Sequence, residues 1–290
     1  MSIKIGGVPE HYNAPFHTAL AAYADPENFE FAWTDFPSGT GAMIDALSAG
    51  EIDLAVLLTE GIVKRIIEKN DMRIVGTFTN NPLPWGVHVR AGAFGDLIDF
   101  NKKVGELVFG ISRLGSGSHL MALVHAKSIG VAAPQFRVVN TMAGAAEAMT
   151  KGEIDAFLWD VTTADVHAKA GVWKCIGTLA GSWPAFVFAV RADASTSALH
   201  AMVRFLHQVR HHGMILKDEP EFTTSFLQER YRISAEQATQ FLASVSWNSS
   251  PTVSQAALER AAAALTEAAI VSGSQPVEEM ILSSFCSLVK

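Results

Sequence analysis

The sequence predicts an α/β protein of two lobes, each a mainly parallel sheet with helices on both faces, facing one another across a cleft. Three observations predict it. Short apolar strands alternate with segments of helical apolar spacing from Ile3 to Arg191. The order then repeats. Ala42–Leu54 aligns with Gly144–Ala156, including identical Gly-Glu-Ile-Asp pieces that start at Gly50 and Gly152. Leu83–Ala91 echoes Trp183–Ala192 with one residue inserted, and Lys4–Asn13 corresponds to Val108–Gly117. Matches in a constant order mark a duplication. The third observation is the stretch Val108–Met121, which reads as an apolar strand, a Gly/Ser loop (Ser112–Ser118) and a helix beginning near His119. Unpaired N–H groups and the dipole at such a helix start favour an anionic or strongly polar ligand group. The glycines let backbone come close to it.

Taken in order, Ile3–Val8 is a strand, Pro9–Asn13 a loop and Ala14–Ala24 a helix. Phe29–Trp33 is the second strand. Pro37–Gly41 is a second Gly/Ser/Thr loop, opening a helix over Ala42–Ala49 that Gly50 stops. Ile52–Leu58 is a third strand, and Thr59-Glu60-Gly61 opens a helix to about Lys69. Ile74–Thr79 and Gly86–Arg90 are strands joined through Asn80–Trp85. Crossings near Asn80–Arg90 and Trp183–Arg191 give one lobe of residues 1–88 and 190–290 and another of residues 89–189. Ser197–His212, Pro220–Tyr231, Ser234–Ser244 and Ser254–Ser272 read as helices from their Ala, Leu and Glu content, and Pro276–Val289 as a last surface helix. In open α/β sheets ligands bind beyond the carboxyl ends of the strands, so the strand-to-helix loops of both lobes should surround one cleft.

Composition bounds the function. With 49% hydrophobic and 18% charged residues, the 290-residue chain can bury a sizeable core and is not disordered. A net charge of −7 with no block of like charge excludes a nucleic-acid surface. Cys175 and Cys286 lie too far apart for a disulfide framework or a metal cluster. No apolar run of roughly 18 residues exists, so no transmembrane helix is expected. The N-terminus enters a strand at once without the pattern of an export signal. A cytoplasmic protein is expected, or a periplasmic one if a signal was removed.

The candidate site residues follow from the loops. Arg113 can hold an anion bidentately, and Ser116, Gly117 and Ser118 offer hydroxyls and N–H groups to a carboxylate, sulfonate, phosphate or carbonyl. His119 either touches ligand or caps the helix. Ser38, Gly39, Thr40 and Gly41 form the equivalent loop in the first lobe, and Glu10, His11 and Tyr12 occupy the first loop. Thr59 and Glu60 follow the third strand, while Trp159, Asp160, Thr162 and Thr163 follow its counterpart. Trp159 or Tyr12 can stack on a flat ring. Glu60 or Asp160 can accept from an amino group, or cap a helix. Asn81, Trp85 and Trp183 sit by the crossings, to cover the ligand or pack the hinge. His207 and His211 share a helix face, but nothing nearby completes a metal site. There is no P-loop, nucleophile elbow or zinc motif. A small-molecule ligand is expected, with no metal and no cofactor.

Three pieces carry a family resemblance: the duplicated Gly-Glu-Ile-Asp, the loop Ser112-Arg-Leu-Gly-Ser-Gly-Ser-His119, and Phe157-Leu-Trp-Asp-Val-Thr-Thr163. Together they resemble the type II periplasmic-binding-protein fold, closest to the nitrate/sulfonate/taurine-type binding proteins and the thiamine-pyrimidine-precursor family. The pairing of the second and third pieces looks like a subgroup of stand-alone relatives, some of them intracellular. The resemblance implies hinged binding of a small polar, heterocyclic (thiamine-pyrimidine-like) or anionic metabolite between the lobes. It also implies two alternatives. One is an enzyme of thiamine-pyrimidine synthesis, a branch that uses a histidine, pyridoxal phosphate and a Cys-rich motif. This chain lacks that motif, and its lysines near the loops are sparse (Lys4, Lys64). The other is the binding component of an ABC-type uptake system with a permease partner, for which the sequence carries no export or anchoring signal. Binding without catalysis is the expected function.

Overall fold

The two Gly-Glu-Ile-Asp pieces fold alike in the computed structural model, which describes residues 2–290. Gly50 and Gly152 both turn the chain at φ 70°, a left-handed conformation that costs glycine little. Ile52 and Ile154 are buried and lie where a side chain on Gly6 or Gly110 would stand. Asp53 and Asp155 then accept from the backbone N–H of Lys4 and Val108, each at 2.9 Å. One motif thus locks the third strand of each lobe onto the first. Asp53→Ala and Asp155→Ala are each expected to cost about 1–3 kcal/mol, the range of a hydrogen bond to a charged group. The two share no partner, so the double variant should lose their sum to within about 0.5 kcal/mol, as urea unfolding can measure.

The first lobe begins with β1 (Ser2–Gly7), α1 (Ala14–Ala22), β2 (Glu30–Asp35), α2 (Thr40–Ala49), β3 (Leu54–Leu58), α3 (Thr59–Lys69) and β4 (Met72–Thr77). The second contains β5 (Trp85–Arg90), α4 (Leu97–Asn101), β6 (Val108–Ile111), α5 (Gly117–Ser128), β7 (Gln135–Val138), α6 (Met142–Thr150), β8 (Ala156–Asp160), α7 (Val161–Lys169) and β9 (Trp173–Leu179). The chain returns to the first through β10 (Phe186–Arg191). It then adds α8 (Thr196–Asp218), α9 (Pro220–Tyr231), α10 (Ala235–Ser244), β11 (Thr252–Ser254), α11 (Gln255–Glu267), α12 (Val277–Met280) and β12 (Ser287–Val289).

The sheets have the orders β2-β1-β3-β10-β4 and β7-β6-β8-β5-β9. In each, four strands run one way and the inserted one, β10 or β5, runs against both neighbours. Each lobe's odd strand is the one that follows a crossing, so the lobes exchange equivalent strands. The lobe limits expected at residues 88–89 and 189–190 fall inside β5 and β10, each of which belongs wholly to one sheet; the chain changes sheets at residues 78–84 and 180–185. These crossings bond to each other and to α3: Ala185 N–H donates to the Asn81 carbonyl at 2.9 Å, and Thr59 N–H to the Ala185 carbonyl at 3.0 Å.

Two terminal expectations need correction. Pro276–Val289 is not a helix. After the single turn α12, Leu282 N–H donates to the Ile74 carbonyl at 2.9 Å, holding the chain extended beside β4, and β12 pairs in parallel with β11. The helix expected over Ser197–His212 runs from Thr196 to Asp218, because buried Gly213 and Leu216 continue its apolar face. His207 and His211 are exposed on its outer side. Among the described residues no helix is long and apolar enough to cross a membrane.

Candidate functional site

The strands of both lobes end on one cavity. Val8 follows β1, and Leu58 and Asp160 are the last residues of β3 and β8; Ser112 follows β6. Trp85 and Phe186, the first residues of the exchanged strands β5 and β10, complete the wall together with Leu83 and half-buried Trp159. Trp159 is held flat by Phe157, with ring centres 5.3 Å apart and planes at 13°. The space is ≈ 50 Å³, room for about four water-sized bodies. Residues of both lobes line it.

One side of the cavity carries hydrogen-bond donors. Arg113, from the second lobe, donates from Nη1 to the Ser38 carbonyl of the first lobe at 2.6 Å, tying the lobes together. Its Nη2 is buried with no partner. Gly41 leaves the room that the guanidinium fills, since a Cβ there would overlap it. Burial lowers the Arg113 pKa, but a guanidinium stays charged at neutral pH. Ser116 and Ser118 are buried, their hydroxyls 3.1 Å apart. Neither α5, entered from Ser116, nor α2, entered from Gly39, has a side-chain cap, so their leading N–H groups face the cavity free of side-chain acceptors. By contrast, α8, α10 and α11 are each capped by a serine. Thr40 lines the cavity while its Oγ1 accepts from Leu58 N–H at 3.1 Å.

The other side carries acid. Glu10 and Asp160 both line the cavity, and Glu10 is pushed well above the ordinary carboxyl range, first by burial and then by the charge of Asp160. Asp160 also caps α7 by accepting from Thr163 N–H at 2.8 Å, so its capping and cleft-lining roles coexist. The other acid expected to accept from an amino group is Glu60. It lies instead against the hinge, accepting from the Trp183 indole at 2.9 Å, and its Oε1 is buried unpartnered.

Of the other expected contacts, several are engaged elsewhere. Tyr12 packs between Phe186 and Phe241, where burial followed by the charges of Asp160 and Glu10 raises its pKa. Thr59 donates to the Pro184 carbonyl at 2.6 Å. Asn81 accepts from Ser246 N–H at 2.9 Å. The His119 ring accepts from Gly115 N–H at 2.9 Å and stacks edge-on against Phe136, so it shapes the loop. His11, Thr162 and Thr163 border a second, outer space. Glu10, Ser38, Gly39, Thr40, Arg113, Ser116, Gly117, Ser118, Trp159 and Asp160 do line the inner cavity. Sequence reasoning passed over Val8, Leu58, Leu83 and Phe186. Their one signal was position, at a strand end or in a crossing, because their apolar type looks like core. Among the described residues no lysine lines the inner cavity, and no group of three or more His, Cys, Asp or Glu is placed to hold a metal ion.

Two α/β lobes exchanging strands around a cleft define the periplasmic-binding-protein fold, and this chain has that fold. Residues 89–179 match the family described as Ca3427-like PBP. The CA3427 gene product of Candida albicans, described as exhibiting the generic periplasmic binding protein fold, is 21% identical; the match covers 99% of this chain and 96% of that one, with a TM-score of 0.86. The alkanesulfonate-binding protein SsuA of Xanthomonas axonopodis pv. citri, bound to MOPS, is 15% identical, with 97% of each chain covered and a TM-score of 0.79. The ligand-binding component of an ABC-type import system from Staphylococcus aureus, with zinc bound, is 17% identical, with 98% and 97% covered and a TM-score of 0.78. No curated protein sequence matches significantly.

Proposed function

We propose that this protein binds, without chemical change, a small molecule bearing an anionic group and at least one N–H donor, and closes its lobes around it. The observation that carries this reading is Arg113, which lines the inter-lobe cavity and whose buried Nη2 has no hydrogen-bond partner. Such a donor is costly to bury unless something accepts from it. Ser116, Ser118 and the uncapped starts of α2 and α5 would share the anion. Glu10 and Asp160 would accept from the donor, and Trp85 and Trp159 would flank an intervening flat or aliphatic body. An amino-heterocycle of aminopyrimidine type with a polar arm meets these demands, as does an aminosulfonate.

A thermal-shift panel of aminosulfonates, carboxylates, phosphates, aminopyrimidines and pyridoxal phosphate tests the reading. A ligand that binds only the native state stabilises it by about 2.7 kcal/mol at a hundredfold excess over Kd. Stabilisation by compounds that pair an anion with an N–H donor is expected. Stabilisation by none of them would overturn the reading, and an aldimine absorbance with pyridoxal phosphate would replace it with an enzymatic one.

A further inference from the structure

A larger space of ≈ 710 Å³ adjoins the inner cavity between the lobes, and Glu10 lines both. Three residues that line this outer space each carry a polar atom buried without a hydrogen-bond partner: His11 Nδ1, Thr163 Oγ1 and the Tyr231 hydroxyl. They come from the loop after β1, from α7 of the second lobe and from the end of α9. His11 is 1% exposed and held edge-on by Phe241, ring centres 4.2 Å apart. Thr163 gives its N–H to Asp160, but its hydroxyl meets nothing. Arg230 stands near the Tyr231 hydroxyl without an aligned hydrogen bond, its guanidinium bonded to His17 Nδ1 at 2.9 Å.

Folded chains seldom leave such groups unpaired, and here three separate elements do so around one space. These three groups are themselves neutral, while the wall around them carries both signs of charge, from Arg230 and Lys169 and from Asp35 and Asp165. Burial lowers the His11 pKa and raises that of Tyr231, so the imidazole stays uncharged and the phenol keeps its proton. Two hydroxyls and a ring nitrogen can satisfy a group with a donor and an acceptor side by side; they offer no charge to balance an ion.

We propose, building on the reading of the inner cavity as an anion site, that the ligand spans both spaces. Its anionic end lies at Arg113, and a second, uncharged donor–acceptor group, a carboxamide or the edge of an amino-heterocycle, lies at His11, Thr163 and Tyr231. Glu10 stands between the two ends. The outer chamber then sets specificity by length and by the far group, while the inner cavity selects charge.

A matched pair of probes tests this by calorimetric titration. Taurine carries the sulfonate and the amine; N-(carbamoylmethyl)taurine adds a carboxamide arm. The intact protein is expected to bind the second at least about tenfold more tightly, a difference of about 1.4 kcal/mol. Thr163→Val with Tyr231→Phe should erase that preference and leave taurine affinity unchanged. The same variants should unfold at no lower temperature without ligand, because they delete unpaired buried groups; a clear drop would mean that these groups serve the fold and would overturn the proposal. Taurine binding with no gain from the carboxamide overturns the outer assignment alone. Binding of neither sulfonate, with no anion of the thermal-shift panel stabilising the protein, overturns the anion site, and this proposal with it.

Discussion

Arg113→Ala is expected to weaken the binding of an anionic ligand such as taurine by about 100-fold. Removing one side of a buried, hydrogen-bonded charge pair typically costs 2–5 kcal/mol, and tenfold is about 1.4 kcal/mol. The variant should also loosen the contact between the lobes, because the guanidinium reaches from the second lobe to the Ser38 carbonyl. Arg113→Lys keeps the charge and loses the planar fork, so it should recover part of the affinity but not the inter-lobe bond. Calorimetry reports the first effect and small-angle scattering the second. An Arg113→Ala protein that binds taurine as before would show that the anion sits elsewhere.

Glu60→Gln is expected to stabilise the protein at neutral and alkaline pH. Burial pushes the Glu60 carboxyl up to about 7, against the ordinary 4.5. The sign follows from proton binding. Between pH 4.5 and 7 the folded chain holds a proton there that the unfolded chain has lost, so stability falls as pH rises. The neutral acid's advantage is complete below pH 4.5 and lost as pH passes 7. Across that window the loss is roughly 3 kcal/mol. Glutamine stays neutral and can still accept from the Trp183 indole. The gain of Glu60→Gln over the natural protein should therefore be small at pH 5 and approach that figure by pH 8, measured as the difference between their denaturant midpoints. A gain that does not change with pH would show that Glu60 is not the titrating group.

The architecture was legible in the sequence because its signals are local and occur twice. Gly50 and Gly152 turn the chain, Ile52 and Ile154 bury, and Asp53 and Asp155 bond back to the first strand, all within four residues. The acid of the cleft was less legible. Carrying the Gly50/Gly152 register forward pairs Leu58 with Asp160 and Glu60 with Thr162. The repeat therefore already set Glu60 two residues beyond the strand end, inside the helix. Reading both acids simply as following a strand hid that offset. Glu10 had no such guide, because the alignment of Lys4–Asn13 with Val108–Gly117 pairs it with Leu114, which is 72% exposed. The lobes differ at these positions, and a repeat is silent about differences. The apolar wall from Val8, Leu58, Leu83 and Phe186 was hidden for a different reason: residue type cannot separate a cavity lining from a core.

The strand exchange has a consequence for the order in which the protein can be made. The second sheet is assembled from residues 85–179, one unbroken stretch. The first is not, because β4 touches its sheet only through β10, whose last residue is Arg191. As the chain leaves the ribosome, β4 waits unpaired through more than a hundred further residues while the later-made lobe can finish before the earlier one. An unpaired, apolar strand edge invites wrong partners. Met72–Thr77, the buried heart of the finished lobe, is then the segment most in need of protection during synthesis.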